Sequence, residues 1–207
     1  MAKLSLTTYW RSSSSYRVRI ALAYKKLAYE SVLVNLLAGE QSAPANVANN
    51  PMGHVPTLFI DGVPYVESVA IMELLEELYP YPPLLPTSAR DRALVRGLVQ
   101  TVNAGIQPLQ NLSVLDKVGG DDQEKRGAWM KFFISRGLGA FEALASEKGP
   151  FAFGEAFTMA DVCLVPQLYN ARRFDLPLDA FPGLLRADAA AAAIPAFAAA
   201  HPDRVRP

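Results

Sequence analysis

The sequence is short of the residues that build disulfides and metal centres. It holds one cysteine, Cys163, in 207 residues, which excludes an intramolecular disulfide framework and a cysteine-rich zinc site. Two histidines, His54 and His201, leave little for a histidine metal centre or a Ser-His-Asp triad, and no metal is expected. Charge of one sign is also missing: 20 Lys and Arg balance 20 Asp and Glu. The balance is local as well, with 6 basic and 7 acidic side chains in residues 1–80 and 14 and 13 in the remainder. Nucleic acid and anionic membrane reward a basic excess, so neither is an expected partner. No stretch approaches the roughly 18 apolar residues of a membrane span; the longest apolar run, Ala189 to Ala200, is alanine-rich and broken by Pro195. The opening MAKLSLTTYW lacks the basic stretch and apolar run of a secretory leader. A protein of a reducing compartment, the cytoplasm, is expected.

What is present is an apolar fraction of 51%, enough for one large domain or two small ones, each with a core of its own. Residues 3–9 alternate weakly and predict a strand. The serine run Ser12-Ser13-Ser14-Ser15 follows, and serine favours the N-cap of a helix. Beyond it Val18, Ala21 and Leu22 fall at helical spacing, with Arg17 and Arg19 on other faces. Tyr29 to Leu36 predicts a second strand, parallel to the first through a right-handed crossover. Asp61-Gly62, between Val55–Ile60 and Val63–Val66, signals a hairpin, because a type I′ turn needs positive φ at both central residues. Glu67-Ser68 then opens a helix to Tyr79, and Tyr79-Pro80-Tyr81-Pro82-Pro83 ends it.

Past the prolines the pattern becomes helical. The spacing predicts a long helix from Ser88 to about Leu115 kinked at Pro108, a second over Gln123–Ala145, and a third starting at Thr158-Met159-Ala160-Asp161 with a box-like cap. Shorter helices are predicted over 183–192 and 195–200. The division expected is residues 1–80, a linker at 81–86, and an all-helical domain over 87–207.

Three points could carry chemistry. The serine run sets hydroxyls where a helix terminus presents unpaired amides and about half a positive charge, a place for phosphate, carboxylate or thiolate. Without glycine-rich spacing, phosphate is the weakest of the three. Val55-Pro56 reads either as a strand start or as a cis peptide that exposes the Val55 backbone to an extended ligand. Glu67-Ser68 reads as capping, or as a carboxylate and hydroxyl suited to a ligand bearing both ammonium and carboxylate. Together they outline a groove for a zwitterionic peptide with a reactive anion at the serine end.

The stretches WRSSSSYRVRIAL, YESVLVNL with GEQ, NPMGHVPTLFIDG, GIQPLQNLSVL and FTMADVCLVPQLYNARRF resemble the zeta-class glutathione transferases, the maleylacetoacetate isomerase family, over essentially the whole chain. The resemblance implies an α/β thioredoxin-like N-terminal domain (βαβ–ββα) that binds glutathione, an all-helical C-terminal domain on the substrate side, and a homodimer. It implies a glutathione-dependent cis–trans isomerase that turns maleylacetoacetate into fumarylacetoacetate in aromatic amino-acid breakdown. On this resemblance Ser12 stabilises the glutathione thiolate and Ser13 and Ser14 shape its pocket. Gln41, His54, Val55, Glu67, Ser68 and Gln107 hold glutathione. Arg11, Arg173 and Asn111 face the maleyl substrate. Ser14 stands where the family motif usually has cysteine, and Glu67 where many members have glutamine. Alternatives using the same fold are a maleylpyruvate isomerase, a general transferase or 2-halo acid dehalogenase, and a non-catalytic glutathione carrier. Asp161 is expected to cap its helix, Cys163 to be a buried small hydrophobe, and Gln110 to border the pocket or bridge buried polar groups.

Overall fold

The computed structural model describes residues 2–207. Four strands form one mixed sheet in the order β2-β1-β3-β4: β1 (Leu4–Thr8), β2 (Glu30–Leu33), β3 (Thr57–Ile60) and β4 (Val63–Val66). β1 pairs parallel with β2 across helix α1 (Ser13–Tyr24), and antiparallel with β3, which turns back into β4. At that turn Asp61 has φ +50° and Gly62 +85°, the left-handed pair that the hairpin requires. A short helix α2 (Pro44–Val47) lies in the connection to β3, and α3 (Ser68–Leu78) follows β4. The strand and helix order is the βαβ–ββα order that the resemblance implies.

Leu4, Leu6 and Leu58 from the sheet close against Val18, Ile20 and Leu22 of α1 and Ile71, Met72 and Leu75 of α3, all buried. Burial of α1 is wider than its apolar stripe predicts: every residue from Ser15 to Leu22 is inside, Arg17 and Arg19 included. A buried guanidinium is tolerable only where acceptors meet its donors. Arg19 has them: Nε donates to Ala200 O at 3.1 Å, Nη1 to Thr8 Oγ1 at 3.1 Å and Nη2 to Trp10 O at 3.0 Å. The arginines therefore lie within the packed helix surface instead of off it.

The remaining helices are α4 (Ala89–Asn103), α5 (Leu112–Gly119), α6 (Gln123–Leu144), α7 (Met159–Arg173), α8 (Pro182–Ala192), α9 (Pro195–Ala200) and α10 (Pro202–Val205). The long helix expected over 88–115 is three pieces: α4, a 3₁₀ turn at Gln107–Gln110, and α5. Pro108 supplies no amide donor and biases Gln107 away from helical geometry, so the chain leaves α4 early and restarts at Leu112. Val95, Leu98, Val99 and Val102 form the buried stripe of α4, alongside Ile134, Leu138 and Phe141 of α6 and Leu164 and Leu168 of α7. Cys163 of α7 is buried as well. Thr158 and Asp161 make the reciprocal capping box of α7, and Asp161 Oδ1 also accepts from Ala152 N at 2.8 Å.

The chain divides into two compact units. One runs up to Pro83 and also takes in Ile194–Pro207; the other is Leu84–Ala193. Helix α9 thus belongs with the sheet unit, where Tyr16 OH donates to Phe197 O at 3.5 Å and Arg19 reaches Ala200. No helix among the described residues is long and apolar enough to cross a membrane.

Candidate active site

The site in the first unit is built on the N-terminus of α1. Ser12 N donates to Tyr9 O at 3.0 Å, which ties the loop leaving β1 into a turn. Ser12 is then the N-cap, and its Oγ accepts from Ser15 N at 3.1 Å. A hydroxyl that accepts in this way keeps its own proton to give elsewhere. Ser13 and Ser14 form the first turn, half-buried, where backbone amides have no partner within the helix. The first turn carries no acidic residue, so no carboxylate of that turn offsets its positive end. Arg11 is exposed just before it, its guanidinium 4.4 Å from the Trp10 ring centre.

Helix α3 presents a second terminus. Ser68, its first residue, is buried, and its Oγ accepts from Arg17 Nη1 at 3.2 Å. The Arg17 donor takes one lone pair of the Ser68 hydroxyl, leaves its proton to donate elsewhere, and sets a cation beside it. Sequence periodicity missed Arg17 in this role, since spacing tells which face a residue lies on and not which acceptor waits there. Glu67, exposed, sits at φ +66° and ψ 114°. A non-glycine residue holds that conformation only where its surroundings impose it, and such residues cluster at binding sites.

The Val55-Pro56 bond is cis and leads straight into β3. His54 before it is exposed, and its carbonyl accepts from Asn50 Nδ2 at 3.0 Å. Gln41 lies on a 3₁₀ turn, Glu40–Ser42, with Oε1 buried and no hydrogen-bond partner among the described residues. A buried acceptor without a donor costs free energy unless a ligand supplies one. Gln41 Oε1, the Ser12 and Ser68 hydroxyl protons and the positive end of α1 suit a peptide with amides, a carboxylate and a thiolate. They fit glutathione.

The helical unit holds the other candidates. Gln107 Nε2 donates to Asn111 Oδ1 at 2.9 Å, both half-buried, which leaves the Asn111 amide protons to donate. Arg173 closes α7, exposed, with Nη1 on Asn170 Oδ1 at 3.0 Å and its guanidinium 5.5 Å from the Phe174 ring centre. Gln110 bonds to Gln167 at 3.1 Å. Asp161 is wholly buried and its carboxyl is pushed up to about 6 by burial, against the pull of its hydrogen bonds to Ala152 and Thr158. It caps and does not face a site. Among the described residues no cluster of three His, Cys, Asp or Glu side chains could hold a metal ion.

Known proteins match this chain along its length. The family model for the glutathione S-transferase N-terminal domain matches residues 6–83, and that for the C-terminal domain residues 127–201. The maleylacetoacetate isomerase of Rhizobium meliloti (strain 1021) is 48% identical, over 98% of this chain and 97% of its own. The crystal structure of maleylacetoacetate isomerase from Anaeromyxobacter dehalogenans 2CP-1, with glutathione bound in its active site, superposes with a TM-score of 0.91 at 50% identity, over 99% of this chain and 97% of that one. A zeta-class bacterial maleylpyruvate isomerase in its holo form superposes with a TM-score of 0.93 at 39% identity, over 98% of each chain.

Proposed function

The chain belongs to the glutathione S-transferase family, among its zeta-class maleylacetoacetate isomerases, and from that premise we infer that it catalyses the glutathione-dependent isomerisation of maleylacetoacetate to fumarylacetoacetate. The observation that carries the reading is the start of α1, where a capping Ser12 with a proton to spare meets a helix end free of acidic residues.

When bound, glutathione supplies the thiolate that adds to the cis double bond, lets the resulting single bond rotate, and leaves again as the trans bond forms. Ser12 Oγ donates to that sulfur. A thiol with an ordinary pKa of about 8.5 is mostly protonated at neutral pH, and lowering it by two units requires about 2.7 kcal/mol in favour of the thiolate. A charge-assisted hydrogen bond and a helix terminus together supply that much. Ser13 and Ser14 line the same pocket, so no cysteine of the chain acts there. The residues up to 80 hold the peptide: Gln41 and His54 along its length, Val55 through its backbone, and Glu67 and Ser68 at its ammonium and carboxylate. Arg17 leaves the Ser68 proton to donate to that carboxylate. The helical residues after 86 supply Gln107 to glutathione and Asn111 and Arg173 to the substrate. Arg11 and Arg173 meet carboxylate and enolate charge, for which the arginine fork is suited.

We further infer a homodimer, supported by the family resemblance and by apolar side chains such as Leu94 and Phe132, each 60% exposed, that a second copy would cover. A need for reduced glutathione favours the cytoplasm. Sedimentation at micromolar concentration should give twice the chain mass.

The reaction is tested by assaying the purified protein on maleylacetoacetate with and without glutathione, with maleylpyruvate in parallel. Glutathione-dependent turnover of the first alone is the expected result. Turnover of maleylpyruvate alone would move the substrate and keep the mechanism. Glutathione binding without any isomerisation would refute the reading in favour of a carrier.

A further inference from the structure

Arginine donates from every nitrogen and accepts at none. That one-sidedness orders a chain of amides inside the helical unit. Arg173 Nη1 donates to Asn170 Oδ1 at 3.0 Å. The Asn170 amide nitrogen is thereby turned to Gln110, whose Oε1 accepts it. Gln110 Nε2 donates onward to Gln167 Oε1 at 3.1 Å, and Gln167 Nε2 returns to Gln110 Oε1 at 3.4 Å. The chain runs from Gln167, wholly buried on α7, through half-buried Gln110 and Asn170, to the exposed guanidinium.

The Gln110–Gln167 pair holds together without Asn170, through one bond at the oxygen and one at the nitrogen of the buried Gln167 amide. The branch to Asn170 adds nothing to that burial. It uses the second lone pair of Gln110 Oε1 to pin a side chain that shares a helix turn with Arg173, three residues away. Gln110 arrives from a different segment, the 3₁₀ turn Gln107–Gln110, and joins that turn to the end of α7.

We propose that Gln110 is a positioning residue of the isomerase: through Asn170 it holds the Arg173 guanidinium ready for a substrate carboxylate. The proposal rests on the reading of Arg173 given above. Ordering the guanidinium before binding lowers the entropy lost when the carboxylate arrives. Its effect therefore belongs in substrate KM, leaving the glutathione side alone.

The test is steady-state kinetics on maleylacetoacetate for Asn170→Ala, Gln110→Met and Arg173→Met, and for the last combined with each of the others. Asn170→Ala leaves the Gln110–Gln167 pair whole, so it separates the relay from the fold. Asn170→Ala and Gln110→Met should each raise the KM for maleylacetoacetate about fivefold, with kcat and the KM for glutathione within twofold of the parent. Placed on Arg173→Met, either should add less than twofold. A normal KM for Asn170→Ala beside a raised KM for Arg173→Met overturns the proposal and leaves the role of Arg173 standing. Full multiplication of the effects in the double variants also overturns it. A normal KM for Arg173→Met itself overturns the underlying reading, and the proposal with it.

Discussion

Lys25 is a buried cation with every proton placed. Its ammonium lies 2.7 Å from Glu76 Oε2, 2.6 Å from Tyr79 O and 3.0 Å from Pro82 O, which uses all three donors. Lys25→Met would take the cation from a carboxylate that is only 7% exposed, and the loss should be about 3–5 kcal/mol in urea unfolding. Adding Glu76→Leu should recover most of it; a double variant no better than the single would mean the ion pair is not the cause. Asp161 gives a pH signature. Its carboxyl is raised from an ordinary 3.8 to about 6 because burial disfavours its charge. The folded chain therefore keeps a proton that the unfolded chain releases between those values, and this stabilising contribution is lost as pH rises through 6. Relative to Asp161→Asn, the parent should lose stability from about pH 4 to 6 and then level off. A parallel pair of curves would contradict the burial argument. If Ser12 donates to the glutathione sulfur as proposed, Ser12→Ala removes a hydrogen bond to a charged group, worth roughly 1.5–3 kcal/mol. Titration of thiolate absorbance in the glutathione complex should show a thiol pKa higher by one or more; an unchanged value removes Ser12 from the mechanism.

Among the elements, local signals were strongest where backbone chemistry is restrictive. The hairpin followed from Asp61-Gly62, α1 from the serine cap, and α7 from Thr158 and Asp161, because each places a donor, an acceptor or a positive φ within a few residues. The span from 88 to 115 was not legible, since its apolar spacing continues across a turn that Pro108 forces. Packing between elements was also invisible. A Cβ on Gly137 of α6 would lie 2.2 Å from Ile106 Cγ1, so the helix can approach this buried side chain only as glycine. Gly137→Ala should cost about 1–3 kcal/mol by overpacking. Gly137→Ala with Ile106→Ala, which removes both Cγ1 and Cδ1, should cost less in thermal melts than the two single variants summed, and simple additivity would place the strain elsewhere.

For the whole molecule, the least legible feature is that the two chain ends meet in one unit. Ile194–Pro207 returns to the unit that begins the chain, where Phe197 and Ala200 accept from Tyr16 and Arg19. Arg206 stands 5.1 Å from the Trp10 ring centre, beside the loop that leads to Ser12. A chain ending at Ala193 should lose the acceptor for Arg19 Nε and the cover over Tyr16, and should melt well below the parent by near-ultraviolet circular dichroism. An unaltered melt would make the segment an appendage. The sequence by itself determined the βαβ–ββα order, the helical second half, the serine-capped start of α1 and the family, because these depend on contacts within a few residues or on motifs read in place. Tertiary structure alone decided that Arg17 and Arg19 go inside, that Gln110 reaches Arg173 through Asn170, and that the last fourteen residues join the first unit. Each of those rests on a donor meeting an acceptor some ten to nearly two hundred residues away, and no local pattern records which partner will be there.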